Sequence, residues 1–133
     1  MIKKNLCVAI LIVPVTLCVA ASAQSKQAND DAKVAGTWRG ESLCTEQAPS
    51  ACHDEQVVYY IKPVKVDVYS IRADKIVNGK PVTMGEGEWQ YDATTHALTW
   101  QGWRLKVDGG TIDGTLTLPD KRVVRRMTLK RDT

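Results

Sequence analysis

From residue 34 to residue 131 the chain alternates apolar and polar side chains with a period of two, and tight-turn dipeptides break that alternation at short intervals. No other feature constrains the fold as much. Period two lays one face of an extended strand on a core, whereas a helix needs a period of 3.6. In the first segment Val34, Gly36, Trp38, Gly40, Ser42 and Cys44 share one face, and Thr37, Arg39, Glu41 and Leu43 share the other. Val57, Tyr59 and Ile61 repeat the pattern up to Pro63. Segments 68–73 and 75–77 then lead to Asn78-Gly79, a dipeptide whose tolerance of positive φ favours a type I′ hairpin. The returning arm, 80–84, carries Pro81, which cannot donate to a strand ladder and so suits an edge or a bulge.

The rhythm continues to the end. Gly87, Trp89 and Tyr91 face one way, with Glu86, Glu88 and Gln90 opposite, before a turn at 92–95. Residues 97–101 and 103–107 read as two strands or as one long strand bent at Gly102. Asp108-Gly109-Gly110 marks a second hairpin turn, Ile112, Gly114, Leu116 and Leu118 share a face, and Pro119-Asp120-Lys121 turns the chain into a last strand, 123–131. About eight short strands joined by tight turns predict an all-β fold, an antiparallel meander that closes into a small barrel. An interior of that size is filled by side chains or holds one small ligand.

Segment 1–23 has the three parts of a secretory signal: Lys3 and Lys4, an apolar stretch over 6–20, and Ala21-Ser22-Ala23 as a small-x-small cleavage motif. The expected mature start is Gln24. The apolar stretch is shorter than the ~20 residues that span a bilayer, so cleavage is expected and the mature chain has no integral membrane segment. Leu17 before Cys18 departs from a lipoprotein motif. Residues 24–33 are polar and read as an unstructured lead-in to a single domain, 34–133. The destination is the bacterial periplasm or the medium.

Removing the signal takes two of the 18 basic residues and none of the 15 acidic ones, which leaves a net charge of +1. Nucleic-acid binding is not expected at so even a balance. Of four cysteines, Cys7 and Cys18 leave with the signal, and Cys44 and Cys52 remain as an expected disulfide in an oxidising compartment.

Gly36-Thr37-Trp38 resembles the Gly-x-Trp motif that opens lipocalin-like, or calycin-type, barrels. The cysteine pair, the segment from Lys75 to Lys80 and Gly114-Thr115-Leu116 extend the likeness to small exported bacterial barrels of this kind. The resemblance implies that Trp38 plugs the closed end beside Gly36, covered by a basic residue of the last strand. Arg125, Arg126 and Arg131 are the candidates, with Arg126 and Arg131 preferred. The chain departs from lipocalins in lacking their Thr-Asp-Tyr turn and a helix after the barrel.

The remaining chemistry is sparse. Cys52-His53-Asp54-Glu55 is the densest group of potential metal ligands, but consecutive strand residues point to opposite faces and His96 is the one other histidine. Neither a zinc nor a calcium spacing is present, and no serine lies in a nucleophile elbow. No metal, cofactor or catalytic residue is expected. The basic last strand, with Lys121, Arg122, Arg125, Arg126, Lys130 and Arg131, reads as an anion-binding patch or as charge protecting an edge.

By parity Tyr59, Trp89, Tyr91 and Trp103 point inward with Trp38, and they are the candidate ligand-binding residues. The expected function is a non-enzymatic barrel that binds a small apolar or amphipathic ligand, admitted beside the loop between Cys44 and Cys52. Two alternatives stand beside it. One is an interaction module, such as an inhibitor of an exported hydrolase, presenting Ala48-Pro49-Ser50-Ala51 on the clamped loop; the other is a structural envelope protein.

Overall fold

The computed structural model describes residues 19–133, with side chains from Ala23 onward. Of the expected signal, 1–23, residues 1–18 lie outside the described residues. Eight strands, β1 (Gly36–Cys44), β2 (Glu55–Lys65), β3 (Val68–Val77), β4 (Lys80–Asp92), β5 (Ala97–Trp100), β6 (Trp103–Asp108), β7 (Thr111–Thr117) and β8 (Val123–Arg131), follow one helix, α1 (Val19–Val34). They pair in chain order into a closed barrel. β1 pairs antiparallel with β8 from Trp38 opposite Arg131 to Cys44 opposite Arg125, and this seam removes the sheet edges.

Turn chemistry follows the sequence closely. Asn78 and Gly79 sit at φ 52° and 76°, both positive as a type I′ hairpin requires. Gln101 and Gly102, at φ 45° and 83°, make a tight turn of their own, so the segments on either side are two strands, with Trp100 paired to Trp103. β3 and β4 are each continuous where the sequence hinted at a break. The irregularity in β4 is a bulge: Ala73 pairs with Gly85 and Asp74 with Thr83, which leaves Met84 over.

The inward faces build a core whose most enclosed members include Trp38, Tyr69, Ile61, Leu98, Leu105, Ile112 and Leu129, all at 2% exposure or less. These belong to the end of the barrel where β1 begins and β8 finishes. Leu98 faces Leu105, and Ile112 faces both Val107 and Leu129.

The expected unstructured lead-in, 24–33, is instead helical, the body of α1. Its composition explains why. From Ala20 to Lys33 there is no glycine, proline or β-branched residue, and alanine, glutamine and lysine recur. The segment has almost no apolar stripe of its own, so docking does the rest. Val34 at its end is fully buried, Asp30 is buried, and Asp31 accepts a hydrogen bond from the Tyr69 hydroxyl at 2.7 Å. The strand alternation accordingly begins at Gly36 and not at Val34.

Strand lengths are uneven at the opposite end. β4 has thirteen residues and β5 only four, and the two pair over just Gln90, Tyr91 and Asp92. Beyond Gln90 the β3–β4 hairpin rises with no β5 partner, and its exposed Val77, Val82 and Met84 stand at the rim. This break in the wall positions the candidate site.

Candidate functional site

No buried side-chain nitrogen or oxygen among the described residues lacks a partner, and the closed end is tied together by one of these networks. The Arg131 guanidinium lies 4.2 Å from the centre of the Trp38 ring. It also donates to the carbonyls of Ala35, at 2.6 Å, Ala32 and Lys33, while Trp38 Nε1–H donates to Val34 O at 3.1 Å. One cation therefore closes the barrel and caps the last carbonyls of α1, groups that a helix cannot satisfy internally. Gly36 is tied to this arrangement. It adopts φ 137°, and a Cβ there would stand 2.7 Å from Arg131 Nη1.

Parity and position along β8 separate the three basic candidates. Arg131 covers the tryptophan. Arg125 also points inward, but at the other end of β8. Arg126, expected as part of the plug, is exposed on the outer wall between Leu43 and Thr115. The phase of β8 against β1 decides this: Trp38 is opposite Arg131, and alternate residues of β8 point the same way.

At the open end the mouth has two unlike halves. Cys44 and Cys52 are bridged, and their loop is latched onto β8 and its preceding turn. Cys44 N–H donates to Asp54 Oδ1 at 2.7 Å, Thr45 N–H to Val124 O at 3.1 Å and Val123 N–H to Gln47 Oε1 at 3.0 Å. Arg125, largely buried, donates to Ser42 Oγ at 3.1 Å and His53 O at 3.0 Å and pairs with Glu55 at 3.5 Å. Lys75 reaches the other Glu55 oxygen at 3.8 Å. The acidic residues of the suspected ligand cluster are thus structural fasteners, and no group of three or more potential ligands occurs among the described residues.

The other half is open. A cavity of about 180 Å³ lies between β4 and the β5–β6 turn. Tyr59, Ile71 and Ala73 line it from β2 and β3, Trp100 and Trp103 from the turn, and Trp89 with 84–87 from β4. Its origin is a run of small inward residues. Ala73, Gly85 and Gly87 occupy adjacent positions on β3 and β4, so nothing fills the space above Ile71 and Trp89. Trp100 packs against Gly87 and lies 5.6 Å, centre to centre, from Trp89. Burial pushes the Tyr59 phenol up to about 12, with Glu55 adding to the rise and Arg125 opposing it.

Three of the four expected ligand-binding residues, Tyr59, Trp89 and Trp103, meet at this cavity. The fourth, Tyr91, does not. It packs edge-on to Tyr69 at 5.6 Å and its hydroxyl lies 3.2 Å from His96 Nδ1, deeper toward the closed end. Trp100 was missed, although it is a wall of the cavity; the signal available was the column of small residues facing it. The expected access beside the cysteine loop is also displaced, since no residue of 44–52 lines the cavity, which opens on the β4 side.

No protein-family model and no curated protein matches the chain. Among solved structures it is similar to a redesigned β-barrel, with TM-score 0.55 and 16% identity over 78% of this chain and 96% of that one. It is also similar to the siderocalin Ex-FABP, a protein with dual ligand specificities, with TM-score 0.52 and 14% identity over 75% of this chain and 74% of that one. At such identities the likeness concerns the fold: this chain is a lipocalin-like, closed eight-stranded antiparallel barrel.

Proposed function

We propose that this chain is an exported, non-enzymatic binding protein that holds one small, mostly apolar molecule in the cavity beside β4. The observation that carries the reading is the apolar cavity itself, built where the wall gives up strand pairing and where Ala73, Gly85 and Gly87 leave space. A barrel needing only stability would fill that space, because an unfilled apolar volume costs about 24 cal/mol per Å³. The likeness to a ligand-binding siderocalin supports the reading at the level of the fold.

Size narrows the ligand. Drug-sized pockets run to about 300–1,000 Å³, whereas a 150 Å³ apolar cavity takes a molecule like benzene. About 180 Å³ therefore suits one or two rings or a compact branched group, and not a long acyl chain.

Export fits the same reading. The signal at 1–23 and the Cys44–Cys52 bridge both belong to an oxidising compartment, the bacterial periplasm or the medium. Cleavage after Ala23 leaves Asp31 and Val34, the docking residues of α1, in the mature chain. Titrating the purified protein with 2-naphthol while following tryptophan fluorescence tests the binding reading. Saturable binding that Ala73→Leu abolishes, with folding intact, is expected. Binding that survives Ala73→Leu, or no binding of any small neutral or charged probe, overturns it.

A further inference from the structure

Resting on that reading of the cavity, we propose a class for its ligand: a compact organic cation, with an alkylated ammonium group seated among aromatic rings. Trp89 from β4, Trp100 and Trp103 from the two ends of the β5–β6 turn and Tyr59 from β2 line the space, so aromatic rings make up much of its wall. Indole faces attract cations more strongly than any other side-chain ring, and the attraction grows once water is excluded. A trimethylammonium head presents an apolar surface over its charge, and so satisfies an apolar wall and a ring quadrupole together.

Among the described residues no cation competes for the cavity. Glu86, the one charged residue at the border of the cavity, stands on the outward face of β4 opposite Arg72, so the inward-facing wall carries no charge of either sign. Three cations of β3 and β8 are committed elsewhere. Arg125 is held by Ser42, His53 and Glu55, Lys75 by Glu55, and Arg72 lies over Tyr60 and beside Asp74. None of the three lines the cavity, so a carboxylate or phosphate ligand finds no partner there. An anion is disfavoured, a neutral molecule is tolerated, and a cation is favoured.

The decisive comparison is between two isosteres that differ in charge. Choline chloride and 3,3-dimethylbutan-1-ol, which replaces the ammonium nitrogen with carbon, are titrated into the purified protein at fixed ionic strength, by calorimetry and tryptophan fluorescence. Choline is expected to bind at least about ten-fold more tightly. Trp103→Leu and Ala73→Leu are expected to weaken both, and choline by the larger factor at Trp103→Leu, where a ring is lost. If the alcohol or 2-naphthol binds as tightly as choline or more so, the cation assignment is overturned while the small-ligand reading stands. If choline binding is untouched by both Trp103→Leu and Ala73→Leu, the cation sits elsewhere and the assignment fails. If none of the three probes binds, both readings fall together.

Discussion

The two ends of this barrel are made of the same residue types and spend them in opposite ways. At the closed end an indole, an arginine and the end of a helix interlock, so that Trp38 is fully buried and Arg131 satisfies three backbone carbonyls. At the open end three more indoles stand around a cavity, Trp89 buried and Trp100 and Trp103 half-buried, with small residues facing them. Tryptophan is a core residue at one end and a wall at the other. The difference lies in what sits opposite it: a cation and a helix at the closed end, and Ala73, Gly85 and Gly87 at the open end.

Truncating a tryptophan at each end attacks this comparison most directly. Trp38→Ala removes a fully enclosed ring, takes away the aromatic face under the Arg131 guanidinium and frees the Val34 carbonyl, and is expected to cost about 3–5 kcal/mol. That is a large share of the roughly 5–15 kcal/mol that holds a domain folded, so partial unfolding at 25 °C is the anticipated result. Trp103→Ala, at a half-buried wall, is expected to cost about 1–2 kcal/mol and to remove ligand binding. Urea melts of both variants supply the comparison. Equal losses would mean that the open end is packed as tightly as the closed one.

Alkali gives a second contrast. Tyr59, Tyr69 and Tyr91 all have phenols held above the ordinary tyrosine range, chiefly by burial, and at Tyr69 the hydrogen bond to Asp31 adds to it. A pKa raised on folding means that the folded state holds its proton more tightly than the unfolded chain. The stabilisation is therefore complete below pH 10 and is lost as pH rises toward 12 and beyond. For Tyr59, at about 12, the loss is on the order of 3 kcal/mol across that window. Tyr59→Phe should flatten the stability–pH curve by about that amount between pH 10 and 12, and Tyr69→Phe should act further into the alkaline range while also releasing α1. A curve that Tyr59→Phe leaves unchanged would show that this phenol already ionises freely, hence that the cavity is well hydrated.

The disulfide separates the two halves of the mouth. Closing so short a loop stabilises by about 2.5 kcal/mol in the chain-entropy model. Cys44→Ser with Cys52→Ser is expected to lower stability by that order and to leave ligand affinity within about twofold. No residue of 44–52 lines the cavity, and Thr45, Gln47 and Asp54 keep their hydrogen bonds without the bridge. A large loss of binding in the double variant would show that the latched half shapes the cavity after all.

What could be read in the sequence follows the range of the interaction that decides it. Alternation and turn dipeptides are local, so the eight strands, the Asn78-Gly79 hairpin and the inward parity of Tyr59, Trp89 and Trp103 were legible. Gly36 and Trp38 carried the fold signature in three residues. The covering arginine was not decidable, because Arg126 and Arg131 differ in phase and the phase of β8 is set only by its seam with β1, some ninety residues away in the chain. Helix α1 was hidden because its stability comes from Tyr69 and the barrel floor and not from an apolar stripe. Trp100 and the true position of the opening depended on β5 stopping after four residues while β4 runs on, a mismatch of lengths that no single segment announces.

The finest test of the contrast uses one substitution at two places. Gly36→Ala and Gly87→Ala each add a single methyl group, and both sites face an aromatic or guanidinium group of the interior. At Gly36 the backbone is at φ 137°, where an L-residue is strained, and the new carbon would press on Arg131 Nη1 at 2.7 Å with the whole closed end behind it. A loss of about 1–2 kcal/mol is expected there. At Gly87 the backbone is ordinary for any residue, and the methyl group meets the Trp100 ring at 3.1 Å, tight but against a ring that borders open space. Reduced freedom of the unfolded chain returns about 0.4–1 kcal/mol, which roughly offsets the crowding. Stability should therefore stay within about 0.5 kcal/mol of the parent while ligand affinity falls, because the tilted Trp100 narrows the cavity. Should Gly87→Ala prove as costly as Gly36→Ala, Trp100 is held as firmly as Trp38, and the open end would be a second core in place of a binding wall.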